Sequence, residues 1–262
     1  MFEQDKTLDF RKEMIRRRFE NIDQAIFIAS GKGGVGKSIV AATIAALMAK
    51  AGMSVGLLDA DVYGPSSAFI FNVQSLPREE AHGLIPPVSN GVKVMSIDLF
   101  ASGKPIPVSG MAAREIMKEI LALTEWGKLD YMLVDLPPGT GDVMMALIDI
   151  VKSKKSSIVL TTPAELSVSV VKRVIELMLE ANIPILGILE NMSYMANSKE
   201  RPLGQGGGRL LAMKYKVKFL GELPIDPKAA KAVDARDVKA LLQTDFAKSL
   251  LSSLDKIKLL KV

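Results

Sequence analysis

The sequence predicts an α/β fold, a mostly parallel β-sheet with helices on both faces. Three observations carry that expectation. Short, β-prone apolar runs alternate with helical patterns along the chain. The runs are apolar on both faces, as strands of a doubly covered parallel sheet must be. Residues with chemistry to offer follow directly after such runs, where open α/β sheets bind their ligands.

The elements can be justified in chain order. In the first 20 residues, Phe10, Met14, Ile15 and Phe19 stand at helical spacing. Arg16, Arg17 and Arg18 follow one another, but acids balance most of this segment. It reads as a helical arm over residues 1–23, packed on the α/β domain of residues 24–262 or on a second subunit. Ala25 to Ala29 is the first strand. Ile39 to Lys50 reads as a buried helix, with Gly52 as its stop. Val55 to Asp59 and Val92 to Ile97 are the next strands, and Tyr131 to Asp135 is an apolar strand that ends in a carboxylate. Ser157 to Thr161, Ile185 to Leu189 and Val217 to Leu220 complete the sheet. Helices are expected at Ala112 to Leu123, Val143 to Val151, Glu165 to Ala181 and Arg209 to Tyr215. Near the C-terminus, Phe246, Leu250, Leu254 and Ile257 line one face among Lys248, Lys256, Lys258 and Lys261. A terminal helix docked on the sheet is expected there, with a membrane-surface helix as the rival reading.

Composition narrows the function. At 262 residues and 48% hydrophobic content the chain suits one large α/β domain, and no linker divides it. Cysteine is absent, which excludes disulfides, thiolate metal sites and a cysteine nucleophile. The lone His82 lies between Leu76 and Pro87 and reads as a solvated loop residue, so a histidine metal site is not expected. No apolar run approaches the roughly 18 residues of a membrane span. The N-terminus is charged from Glu3 onward, without a secretory signal, so a cytoplasmic location is expected. Net charge is +5, and residues 199–262 hold 14 Lys and Arg against 7 Asp and Glu. Such a region can face nucleic acid, an anionic membrane or an acidic partner. No aromatic residues interleave with it, which argues against nucleic acid.

Gly31, Lys32, Gly33, Gly34, Val35, Gly36, Lys37 and Ser38 form a phosphate-binding loop of the Walker A pattern, between a strand and a helix. Glycines let backbone N–H groups close around an anion, and the helix N-terminus adds its positive end. Lys37 is placed to reach the β- and γ-phosphates of a nucleotide, and the Ser38 hydroxyl to ligate Mg²⁺. Asp59 and Asp61 stand at the end of the second strand, and Asp135 ends the apolar one. A carboxylate at such a place can hold Mg²⁺ through water, and another can orient the attacking water. Asp59 and Asp135 are candidates for the first task. Gly139 and Gly141 add the freedom that a switch loop needs.

Lys32 makes the loop similar to the deviant Walker A of the MinD, ParA, nitrogenase iron protein and Mrp group. That resemblance implies that Lys32 crosses a dimer interface to the partner's nucleotide, like an arginine finger. Further motifs narrow it. Asp-Ala-Asp-Val-Tyr-Gly-Pro-Ser, Gly-Val-Lys-Val-Met-Ser-Ile, a run from Trp126 to Asp142 containing Asp-Leu-Pro-Pro-Gly-Thr-Gly-Asp, and Glu-Asn-Met-Ser-Tyr follow in that order, closed by Leu220 to Asp226. Over roughly residues 24–240 the chain resembles the Mrp/ApbC family of ATPases that carry iron–sulfur clusters. The resemblance implies a MinD-like P-loop fold, ATP and Mg²⁺ as ligands, and a dimer. It assigns Asp61 to switch I and Asp135 to switch II, and has Asn191, Pro224 and Asp226 frame the adenine.

The chain also departs from that family. Cluster carriers hold a Cys-x-x-Cys pair shortly after Asn-Met-Ser-Tyr, where this chain places Asn197 and Glu200. Neither amide nor carboxylate replaces a thiolate on iron–sulfur iron. The expected protein is therefore a slow, dimeric Mg-ATPase without a cluster of its own, with a cysteine-bearing paralogue or an iron–sulfur assembly protein as a candidate partner. A MinD- or ParA-type positioning ATPase and a non-hydrolysing ATP-gated scaffold are the alternatives. The absence of cysteine excludes a nitrogenase-type reductase.

Overall fold

The computed structural model describes residues 10–101, 109–151 and 154–259. The first nine residues of the expected arm and Lys261 of the C-terminal lysines lie outside them. The chain runs through helix α1 (Phe10–Glu20), strand β1 (Ile22–Ser30), α2 (Lys37–Lys50), β2 (Val55–Asp59) and a short α3 (Ser67–Ile70). A hairpin of β3 (Arg78–Glu80) and β4 (Gly83–Ile85) leads to β5 (Val88–Ser89) and β6 (Val92–Ser96). Then follow α4 (Asp98–Ala101), α5 (Gly110–Leu123), β7 (Leu129–Asp135), α6 (Asp142–Ile150), β8 (Lys155–Thr161) and α7 (Glu165–Glu180). The chain closes with β9 (Ile185–Met195), α8 (Gly207–Tyr215), β10 (Phe219–Ile225), α9 (Pro227–Asp234), α10 (Val238–Leu241) and α11 (Asp245–Asp255).

Eight strands form one sheet in the order β10-β9-β8-β1-β7-β2-β6-β5. All neighbours run parallel except β5, which pairs antiparallel with β6. The expected architecture is therefore present. Alternation along β1 explains the two covered faces. Ile26 and Ile28 join a core with α2, α9, α10 and α11, whereas Ala25, Phe27 and Ala29 join one with α1, α5, α6 and α7. All five residues are inaccessible to solvent. β1 lies at the centre, where the strand order turns from one direction to the other, so the loop after it opens at the topological switch point.

Several boundaries differ from the sequence expectation, and each has a local cause. β9 runs on to Met195 because its last residues pair with β10, Tyr194 opposite Pro224 and Met195 opposite Ile225. Asn191 thus lies within a strand rather than beyond one. β10 starts at Phe219 rather than Val217, because Lys216 takes a left-handed φ of 54° and ends α8 with a tight turn. α11 does dock on the sheet: Phe246, Leu250 and Leu254 are buried in the α2-side core. That face is not free for a membrane surface. His82 sits exposed in the β3–β4 turn, its carbonyl accepting from Arg18. Arg18 also pairs with Glu125, so α1 is tied to the end of α5 and to the hairpin.

Candidate functional site

The carboxyl end of β1 leads straight into the phosphate-loop sequence. Gly31 passes the backbone of α7 so closely that an added Cβ would stand 2.5 Å from the Val171 nitrogen. Gly36 takes a φ of 81° and forms the N-cap of α2 without a side-chain cap. The first N–H groups of α2 therefore keep no intrahelical acceptor and face outward, as an anion site requires. A side chain at Gly36 would also strike the Asn191 Nδ2 at 2.4 Å. That amide supports the loop from behind by donating to the Val35 carbonyl at 2.8 Å. The Ser30 hydroxyl donates to the Lys32 carbonyl at 3.1 Å, which fixes the entry to the loop.

Sheet register brings the acidic residues to this loop. Ile28 of β1 lies opposite Asp135 of β7, and Asp135 lies opposite Asp59 of β2. Lys37 donates to Asp135 Oδ1 at 2.5 Å, with the lysine 6% exposed and the aspartate not at all. The other oxygen, Oδ2, is buried and has no partner. Burial pushes the Asp135 carboxyl up, against the opposing pull of Lys37 and Ser38.

Asp59 has a different neighbourhood. Its Oδ2 accepts from the Ser66 and Ser67 N–H groups at 2.8 Å each, and its Oδ1 from the Asp61 N–H at 3.1 Å. It thereby ties down the whole loop from Asp61 to Ser67. Burial, and next the charge of Asp135, push this carboxyl up to about 7. Asp61 itself is half-buried and accepts from the Gly64 N–H at 3.3 Å. The segment after Asp135 is held at Gly139, whose N–H donates to the Ser30 carbonyl at 3.0 Å.

These pieces enclose a cavity of about 350 Å³ along the phosphate loop from Lys32 to Ile39. Asp61, Pro138, Phe69 and Val233 form its other walls. Lys32 lies in this lining, half-buried, and has no ion-pair partner among the described residues. A larger cavity of about 600 Å³ lies at the opposite edge of the sheet, lined by Asp23, Gly52, Asp130 and Lys154. Strands begin at that edge, and it offers neither helix N-termini nor a glycine-rich loop. Of the two, the smaller cavity joins a helix N-terminus and a glycine-rich loop at the carboxyl ends of the strands, which makes it the candidate site.

The three residues expected around an adenine behave differently from one another. Asn191 is 3% exposed, and its Oδ1 is buried without a partner beside the loop. Pro224 is buried in β10. Asp226 spends both oxygens on backbone, accepting from Lys228 N at 2.9 Å and Phe246 N at 3.1 Å. It caps α9 and fastens the start of α11, and none of the three, Asn191 included, lines the cavity. Phe69 was not expected because α3 has only four residues, and Val233 was not expected because α9, an eight-residue amphipathic helix, is absent from the sequence expectation. The Asp-Pro pair at 226–227 was the available signal for α9, as an N-cap followed by proline at the first helical position.

Asn197 and Glu200 occupy an exposed turn that closes on itself. The Met195 N–H donates to the Glu200 carbonyl at 2.7 Å, and Lys199 N–H returns to the Met195 carbonyl at 2.9 Å. Arg201 pairs with Glu222 at 2.7 Å. Among the described residues no three His, Cys, Asp or Glu side chains gather as a metal-holding group. An iron–sulfur cluster does not fit this donor set. Mg²⁺ makes a lesser demand, since it keeps waters and takes ligands from substrate phosphates. The unpartnered Asp135 Oδ2 beside Ser38 fits that need.

Comparison with known proteins places the chain. Residues 21–258 match the ParA family model described as NUBPL iron-transfer P-loop NTPase. An iron–sulfur cluster carrier protein of Methanocaldococcus jannaschii is 38% identical over 237 residues, 87% of this chain and 82% of that protein. One from Aquifex aeolicus is 36% identical over 247 residues, 90% of this chain and 68% of that protein. Among solved structures, an Archaeoglobus fulgidus nucleotide-binding protein in complex with ADP has a TM-score of 0.76 at 37% identity, covering 87% of this chain and 92% of that one. MinD from Pyrococcus horikoshii, complexed with Mg-ADP, shares the fold at a TM-score of 0.64 and 19% identity, covering 91% of this chain and 97% of that one.

Proposed function

The chain belongs to the NUBPL iron-transfer P-loop NTPase family, and from that premise we propose that it is a slow, homodimeric Mg-ATPase with no iron–sulfur cluster of its own. The observation that carries this reading is the buried Lys37–Asp135 pair inside a glycine-rich loop. A buried ion pair is a costly arrangement, and its retention makes sense where a phosphate takes over one partner.

In this reading the phosphates lie against the N–H groups of residues 34–38, and Lys37 leaves Asp135 to meet the β- and γ-phosphates. Bound Mg²⁺ supplies neutralising charge at those phosphates. The Ser38 hydroxyl would hold it directly, with Asp135 and Asp59 acting through water. Asp59 has three of about four acceptor sites already filled, which leaves room for one water. Asp61 orients the attacking water and accepts its proton.

Exposed apolar side chains support dimer formation on this face. Tyr63, Met111, Leu166 and Leu210 are 62%, 76%, 67% and 66% exposed. All four stand at loops or first helical turns on the carboxyl edge of the sheet, around the phosphate loop. Apolar groups collected on one edge mark an interaction surface. A second copy there brings its Lys32 to the nucleotide. The positioning-ATPase reading loses its main support, because the apolar face of α11 is consumed in the core. A partner that supplies thiolates, either a cysteine-bearing paralogue or an iron–sulfur assembly protein, would restore cluster chemistry that this chain lacks.

Mixing chains tests the proposal. Lys32→Ala and Lys37→Gln chains should each release little phosphate from Mg-ATP. Their mixed dimer should recover part of the activity, since one pocket keeps its own Lys37 and faces an intact Lys32. A demonstrably mixed dimer without recovery would refute action across the interface. A wild-type chain that binds Mg-ATP but releases no phosphate would favour the scaffold reading.

A further inference from the structure

A third cavity, of about 460 Å³, lies on the α2 side of the sheet, away from the nucleotide face. Its floor is apolar: Ala46 and Ala49 of α2, with Val238 and Leu242 at α10. Two ammonium groups rim it, Lys50 at the last turn of α2 and Lys239 of α10. Both side chains are exposed, and among the described residues neither has an ion-pair partner. The lining holds no acidic side chain. The nearest acid on α10's own segment, Asp237, accepts from the Ala240 N–H at 2.9 Å and serves as that helix's cap. The remaining lining is Gln243, just after α10, and the β5–β6 turn at Asn90, which takes a left-handed φ of 49°.

We propose that this cavity binds a small carboxylate with an apolar body, its chain on the Ala46–Leu242 floor and its carboxylate between Lys50 and Lys239. Size and charge together select that class. The volume lies within the roughly 300–1,000 Å³ of small-molecule sites. A polyphosphate would satisfy the lysines but leave the apolar floor bare. A neutral or cationic amphiphile would fill the floor and leave two ammonium groups unpaired. Only an apolar monoanion uses both features, and the lysine stems can fold along its body while their heads stay at the rim. The site accounts for two cations of this surface that neither the nucleotide chemistry nor a salt bridge employs.

Octanoate titrated into the full-length chain by calorimetry provides the test. Saturable one-to-one binding is expected. Lys50→Gln and Lys239→Gln should each weaken it by about fivefold, the upper range for an exposed charge pair. Leu242→Trp should fill the floor and abolish it. Unchanged thermal midpoints and unchanged Mg-ATP hydrolysis in all three variants would show that the loss is local. Octanol or octylamine binding as tightly as octanoate would overturn the charge argument. Absence of saturation with octanoate, or binding that survives all three substitutions, would overturn the site. Binding of an acidic, leucine-containing peptide without any binding of octanoate would likewise overturn it, and would identify the surface as a protein-docking groove.

Discussion

Replacing Lys37 by alanine should damage both stability and nucleotide binding, and the two losses can be separated. The lysine is 6% exposed and stands 2.5 Å from an aspartate with no solvent exposure. Removing one partner of such a pair costs about 3–5 kcal/mol, a large part of the roughly 5–15 kcal/mol that holds a domain together. At the low end, ~3 kcal/mol lowers the thermal midpoint by about 6–12 °C for a chain of this size. Protonation moderates the loss. Burial already raises Asp135 and Lys37 pulls it down, so deleting Lys37 lifts the folded carboxyl further above its unfolded value. A carboxyl raised in the folded state contributes its stability below the unfolded pKa and loses it as pH climbs through the folded one. The deficit of the alanine variant should therefore be smaller at pH 5 than at pH 8. Thermal unfolding at both values reads the stability, and calorimetry with Mg-ATP reads the site. Lys37→Met combined with Asp135→Leu should regain most of the stability, because an apolar pair replaces a buried ion pair at little cost, yet should bind no ATP. Unchanged ATP affinity in Lys37→Ala, or a deficit that shrinks as pH rises, would refute the reasoning.

Two further outcomes follow from the same geometry. Asp61→Ala should keep ATP affinity within a few-fold and cut phosphate release, because Asp61 lines the cavity but anchors little else; equal loss of both would give it a structural role. Asp59, raised to about 7 by burial and Asp135, should make the nucleotide-free protein lose stability as pH rises from about 4 to about 7. Asp59→Asn should flatten that slope in urea unfolding, and a slope equal to wild type would contradict the assignment.

The fold was legible because short apolar runs mark strands buried on both faces, and seven of the eight sheet strands carry such a run, whereas the two-residue antiparallel edge strand β5 carries none. β2 matches its expected limits, and α2 and α7 match within two residues, since their sequences are apolar on every face that the fold buries. The phosphate loop was legible for a sharper reason: few sequences can wrap backbone N–H groups around an anion, and glycine spacing declares it. Convergence of Asp59 with Asp135 was only half legible. Each stood at a strand end, but the register that sets them side by side is a long-range property. The three N–H groups gathered by Asp59 likewise come from a loop whose path the sequence does not declare. Asp226 entered as an adenine-framing residue only through the resemblance, and its two backbone partners, Lys228 and Phe246, occupy both of its carboxylate oxygens. Phe69 lies on a four-residue helix too short to leave a periodic signature, whereas α9, which carries Val233, is marked by its Asp226–Pro227 start.

The most direct test of the account is to count nucleotide and iron on the same sample. The wild-type chain, incubated without oxygen with Mg-ATP, ferrous iron and sulfide and then desalted, should retain one nucleotide per chain and no stoichiometric iron. Its visible spectrum should lack cluster absorption, since no thiolate is present to ligate iron. A chain that holds iron and sulfide in amounts matching a cluster, or that emerges without nucleotide, would contradict the account.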